Sequence, residues 1–213
     1  MSNISYIDNN SVRISSDILE VFRKYVFNYD EEICANLSER TDKAVTIRNL
    51  FPTNVLKGGV YEYSPGKFRG TCSHKEYSRN IFHSHPRRSY SYPSREDIIK
   101  VLKHWGKIVN SVIATKWGVW IISNTNRSNI FNPTRINELK NYIDHYLNKI
   151  GIETRNANRD IGQDKSNDLT EQNIKLISET CEKLSSKLGL QIILYRWENL
   201  KGSNIDMISN IND

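Results

Sequence analysis

Apolar residues recur along this chain at two periods. A spacing of two marks short strands at Val12 to Ile14, Glu32 to Leu37, Ala44 to Leu50, Gly59 to Tyr63, Phe68 to Cys72 and Ile81 to His85, with turn signals such as Ser64-Pro65-Gly66 between them. A spacing of three and four in Ile18, Phe22, Tyr25, Val26 and Tyr29 predicts a first helix, opened at Asp17 with Glu20 placed as in a capping box. Ser94 opens a second helix carried by Ile98, Val101 and Leu102, and Ile108 to Thr115 with Trp117 to Ser123 predict a strand hairpin. From Asn132-Pro133-Thr134 the period is helical, with Ile136, Leu139, Ile143, Tyr146 and Ile150 on one side. Residues 153–168 are polar and predict a mobile loop. A helix follows Thr170, and its stripe of Ile174, Ile177, Cys181, Leu184 and Leu188 is too short for a coiled coil, so it is expected to pack on the body. Leu190 to Trp197 predicts a last strand, and the tail after Lys201 is expected to be loose. No internal repeat is present. The alternation predicts a mixed sheet with helices on its faces, of α/β or α+β class.

Composition changes this picture little. The 213 residues are 38% hydrophobic and 25% charged, enough for a packed core and against disorder of the whole chain. A net charge of +6 permits an acidic or nucleic-acid partner. No block of five or six like charges calls for one, so nucleic acid is not the expected partner. Three cysteines, Cys34, Cys72 and Cys181, with no CxxC, argue against a disulfide framework or a cysteine-rich zinc site and favour a reducing interior. The polar start and the lack of an apolar run of about 18 to 20 residues lead to the expectation of a cytoplasmic protein without signal peptide or membrane span.

Candidate chemistry is concentrated in one stretch, FHSHPRRSYSYPSRED, residues 82–97. In a strand, Ile81, His83 and His85 share one face, with the imidazoles roughly 6.5 to 7 Å apart at the backbone. Pro86 ends the strand because it has no N–H to donate. Ser94 is placed to cap the following helix, which makes Asp97 its third residue, at the positive end of the helix dipole, where a carboxylate stays ionised. Two histidines and a carboxylate suit tetrahedral zinc with the fourth position left to water, the arrangement of catalytic rather than structural zinc. Such chemistry also needs a second carboxylate to carry protons. Taken singly, H-x-H is an incidental pair and S-x-x-D an ordinary cap; strand, proline, loop and helix in this order point instead to metal.

HSHP followed by PSRED resembles the JAMM (MPN-plus, JAB-domain) metalloproteases, and Glu32-Ile33-Cys34-Ala35-Asn36-Leu37, after the first helix, resembles that family's glutamate strand. The resemblance spans roughly residues 10 to 130 and includes the strand with Trp117-Gly118-Val119-Trp120. It implies an MPN-like metalloprotease core over 10–130, a curved mixed sheet flanked by helices, and a helix-loop-helix-strand extension over 131–213. It implies one zinc ion with a bound water on His83, His85 and Asp97, Glu32 as general base and acid, and Ser94 as an oxyanion stabiliser. It further implies an isopeptidase that cuts after the C-terminus of ubiquitin or a ubiquitin-like protein. Two features depart from the pattern: eight residues rather than seven separate His85 from Ser94, and Ala35-Asn36 replaces Gly-Leu. Glu31 neighbours Glu32, and a register shift of one would present it instead.

Around the motif, Arg87, Arg88, Tyr90 and Tyr92 form a basic and aromatic loop, read either as a substrate rim or as a solvated loop. His74, His104 and His145 have no partner spacing, and Trp117 and Trp120 read as packing residues. The competing functions are a metal-free scaffold of the same fold, a RadC-like DNA-associated protein, and a peptidase for a non-ubiquitin substrate. The oligomeric state is open.

Overall fold

The computed structural model describes residues 11–29, 32–51, 78–85, 91–104, 106–125, 136–159 and 171–208. The elements in chain order are β1 (Ser11–Ile14), α1 (Ser16–Asn28), β2 (Cys34–Glu39), β3 (Val45–Phe51), β4 (Asn80–Ser84), α2 (Arg95–Lys103), β5 (Asn110–Ala114), β6 (Gly118–Asn124), α3 (Ile136–Arg159), α4 (Glu171–Leu188), β7 (Leu190–Arg196) and β8 (Ile205–Ile208). Six strands form one mixed sheet in the order β3-β2-β4-β5-β6-β7, and β1 pairs with β8 in a separate ribbon. All neighbours in the large sheet are antiparallel except β4 and β5, which run parallel and are joined through α2. The described residues therefore form an α+β fold, a mixed sheet with four α-helices among them.

Strand alternation sorts the core into two layers. Ile33, Ala35, Leu37, Phe82, Val112, Val119 and Ile121 point to the face covered by α1 and the β1–β8 ribbon. Ile81, Ile113, Trp120, Ile122 and Ile192 point to the face covered by α2, α3 and α4. On the first face Phe22 stacks on Phe82 with centroids 3.9 Å apart, which fixes α1 to the centre of the sheet. On the second, Ile174, Ile177, Cys181, Leu184 and Leu188 of α4 are all buried, as their spacing predicts. At the end where β4 begins, Asn110 Nδ2 donates to Asn80 Oδ1 (2.7 Å) and to the Ile208 carbonyl (2.6 Å), while Ser123 Oγ donates to Asn110 Oδ1 (2.6 Å). This buried polar network ties three central strands to β8.

Several expectations are revised. The tail after Lys201 is not loose as far as Ile208, because Ile205 and Met207 alternate into the core as β8 pairs with β1; residues 209–213 lie outside the described residues. Helix α1 starts at Ser16, and its N-cap Ser15 makes no side-chain bond. Asn204 of the tail instead accepts from the Ser16 N–H at 3.1 Å, satisfying one of the orphan donors of the first turn. Helix α3 continues to Arg159, through half of the stretch expected as loop, since extending a formed helix needs no apolar anchor. The strand placed at Glu32 to Leu37 begins at Cys34 and runs to Glu39. The segment from 131 onward supplies β7 to the main sheet and β8 to the ribbon. The strands expected at Gly59 to Tyr63 and Phe68 to Cys72 lie outside the described residues.

The β6–β7 pairing requires glycine at 118. A Cβ there would stand 2.0 Å from the Tyr195 carbonyl oxygen, a backbone atom that cannot swing aside. Gly118→Ala is expected to destabilise the fold by about 2–3 kcal/mol, read as a lower urea midpoint, through loss of close β6–β7 contact. An unchanged midpoint would show that the two strands can separate without consequence.

Candidate metal centre

His83 lies in the middle of the large sheet, with its Cα opposite Cys34 on β2 and opposite Ile113 on β5. Its face is that of Ile81, so its imidazole stands on the α2 side. His85 follows just beyond β4, held by its own N–H donating to the Ala114 carbonyl at 2.8 Å. Ser84, between them, faces the other way; its N–H donates to the Ile33 carbonyl (2.8 Å) and its hydroxyl accepts from the Ile33 N–H (3.0 Å). The strand end is thus clamped from both sides, and the two imidazoles project together at the carboxyl end of β4, where open sheets commonly bind ligands.

The carboxylate comes from the first turn of α2. Ser94 is the N-cap of a complete capping box. Asp97 Oδ2 accepts from both the Ser94 N–H and the Ser94 hydroxyl, each at 2.7 Å, and the Asp97 N–H donates back to Ser94 Oγ at 3.2 Å. Oδ2 is thus held by the cap and also faces His85, while Oδ1 faces His83.

The three side chains converge. His83 Nε2 is 3.2 Å from His85 Nε2 and 3.0 Å from Asp97 Oδ1, and His85 Nε2 is 3.3 Å from Asp97 Oδ2. All three residues are buried, at 1%, 4% and 5% exposure. Burial by itself raises the Asp97 carboxyl, but the His83 charge and hydrogen bonds from His83 and His85 hold it well below the ordinary carboxylate range. A tetrahedral zinc with bonds of about 2.0–2.1 Å separates its ligand atoms by about 3.3–3.4 Å. The imidazole pair at 3.2 Å and the His83–Oδ1 distance of 3.0 Å are close to that spacing, His85 meets the same carboxylate at its other oxygen, and one ligand atom from each residue lies within 4.8 Å of the others, so the donor set suits such an ion. Among the described residues this is the group of histidine, cysteine and acidic side chains whose ligand atoms come within metal-binding reach of one another. His83 Nδ1, buried, has no protein hydrogen-bond partner there, so its ring is oriented by packing rather than by an outer acceptor.

Glu32 lies two residues before β2. Cys34 opposes His83 at the end of the antiparallel β2–β4 ladder, and Ile33, just before it, is bonded to Ser84 through both its N–H and its carbonyl. Glu32 is the next residue back along the chain, outside the paired ladder. It is partly exposed, and Glu31 lies outside the described residues. Ser94 Oγ is engaged with Asp97, which makes holding the carboxylate its evident duty. Tyr92, expected at the rim, is 8% exposed and packed among Ile98 and its neighbours in the core, whereas Arg87, Arg88 and Tyr90 lie outside the described residues.

Three features escaped the sequence reading. Trp120 Nε1 donates to the Ser91 carbonyl at 2.8 Å, Arg95 Nη1 donates to Asp144 Oδ2 at 2.6 Å across to α3, and Cys34 is disulfide-bonded. The last departs from the expectation of a reducing interior drawn from few and unpatterned cysteines. Cys181 is free, buried, and pushed by burial up to about 12, so it is an inert core thiol. No helix among the described residues is long and apolar enough to cross a membrane. Comparison with protein-family models, curated proteins and solved structures finds no match.

Zinc added to metal-free protein is expected to bind at one ion per chain and to raise the melting temperature. His83→Ala and Asp97→Asn should lose that binding. Ser94→Ala, which frees Asp97 Oδ2, should weaken it about ten-fold by competition titration. Equal zinc affinity in Ser94→Ala and wild type would remove the cap from the metal site.

Proposed function

We propose that this chain is a zinc-dependent amide hydrolase acting as an isopeptidase on conjugates of ubiquitin or a ubiquitin-like protein, on an MPN-like fold. The observation that carries the reading is the buried convergence of His83, His85 and Asp97 at a strand's carboxyl end, with one ligand atom from each within 4.8 Å of the others. Glu32, two residues before the Cys34 that opposes His83, supports it as a nearby carboxylate. When bound, zinc supplies Lewis acidity and a water acidic enough to react near neutral pH. Glu32 accepts one proton from the attacking water on its carboxylate and returns it to the departing amine nitrogen. Water and amide are thereby converted to a carboxylic acid and an amine. Ser94 holds Asp97 Oδ2 while Oδ1 faces His83, and its hydroxyl would donate to an oxyanion only by rotating away from Oδ2. The choice of a ubiquitin-like substrate draws on the resemblance of HSHP and PSRED to the JAMM motif.

A panel of ubiquitin-like conjugates, incubated with zinc-loaded protein and with chelator, tests this reading. Cleavage of at least one conjugate is expected, and chelator should stop it. Glu32→Gln should lower kcat by about 100- to 10,000-fold while zinc content stays at one per chain. Undiminished turnover in Glu32→Gln would remove Glu32 from the mechanism. A zinc-loaded protein that cuts no member of the panel would send the search to other amide substrates.

A further inference from the structure

We propose that Trp120 is a positioning residue for the metal centre, its indole N–H fixing the segment that delivers Asp97 to the two histidines. This role presupposes the metal centre proposed above and adds to it a residue that lies in neither half of the HSHP and PSRED motif. Trp120 is on β6, two strands away from β4, yet it belongs to the same row of the sheet. It opposes Ile113 on β5, and Ile113 opposes His83 on β4. Residues of one row share a face, so the indole and the His83 imidazole both stand on the side covered by α2.

Trp120 is fully buried, and its Nε1 donates to the Ser91 carbonyl at 2.8 Å. Away from water, neither partner can recover that bond elsewhere. From Ser91 only Tyr92 and Pro93 intervene before Ser94, and both are buried. Tyr92 packs into the same cluster as Trp120, and Pro93 has a fixed φ, so the tether is short and stiff. Ser94 then holds Asp97 Oδ2 with its N–H and its hydroxyl, each at 2.7 Å. A continuous run of bonds thus leads from β6 to the carboxylate, while β4, in the same row, carries the imidazole. Both halves of the site are set against one rigid line of the sheet. The other tether of this segment, Arg95 to Asp144, is partly solvent-exposed on both sides and holds less firmly.

The alternative is that Trp120 merely fills the core, and shape can be separated from hydrogen bonding. Trp120 is replaced by benzothienylalanine, which keeps the bicyclic outline and lacks the N–H, and separately by Trp120→Phe. Ile122→Val, in the same core cluster and with no side-chain hydrogen bond to the Ser91–Asp97 segment, serves as a packing control. Metal-free full-length chains are titrated with cobalt(II) and zinc(II), and melting temperatures are recorded alongside. Both Trp120 replacements are expected to bind cobalt about ten-fold more weakly, with altered visible band intensities, while Ile122→Val binds as wild type does. A benzothienyl chain with wild-type affinity and spectrum overturns the inference, as does an Ile122→Val chain weakened equally. If Trp120→Phe does not fold, the benzothienyl chain decides. Wild type that binds neither metal overturns the metal centre itself, a different result from a wild type that binds and an isostere that binds equally well.

Discussion

Two imidazole nitrogens 3.2 Å apart, each within 3.3 Å of an oxygen of one buried carboxylate, are the constraint around which the rest of the molecule is arranged. Burying an ionised carboxylate is strongly unfavourable unless it is paired and hydrogen-bonded. Here Asp97 receives two hydrogen bonds from its own helix cap and faces two imidazoles. The imidazoles are brought together by strand geometry, and the strand is clamped by β2 on one side and β5 on the other. A divalent cation would satisfy all three groups at once, which is why the arrangement reads as a binding site rather than as a core defect.

The fold serves that point from several directions. The parallel β4–β5 pair forces the chain to cross over through α2, and the crossover begins beside the strand end that carries His85. The helix dipole and the capping box then present a carboxylate there. Antiparallel β2 sets Cys34 opposite His83 from one side, while Phe22 stacked on Phe82 holds the opposite face flat against α1. The chain beyond residue 130 also contributes, because α3 meets Arg95 through Asp144 and β7 closes the sheet beside β6.

What could be read in the sequence was local. H-x-H at a strand end and S-x-x-D at a helix start follow from periods of two residues and from one turn of helix; the cap stands as read, while the strand read through His85 ends at Ser84. The stripe of α4 and the β5–β6 hairpin were visible for the same reason. Long-range pairings were not. The four-residue β8 is too short to announce itself and exists through its pairing with β1 and the burial of Ile205 and Met207. Trp120 and Ser91 are 29 residues apart, Arg95 and Asp144 49, and no spacing rule connects either pair. Tyr92 looked like a loop residue among arginines, but burial depends on what folds over it.

The most direct measurement is anomalous diffraction at the zinc absorption edge on crystals grown with one equivalent of zinc. A single peak about 2.0–2.1 Å from His83 Nε2, His85 Nε2 and Asp97 Oδ1 is predicted. Zinc bound elsewhere, or these three residues touching one another with no peak between them, would contradict the metal centre.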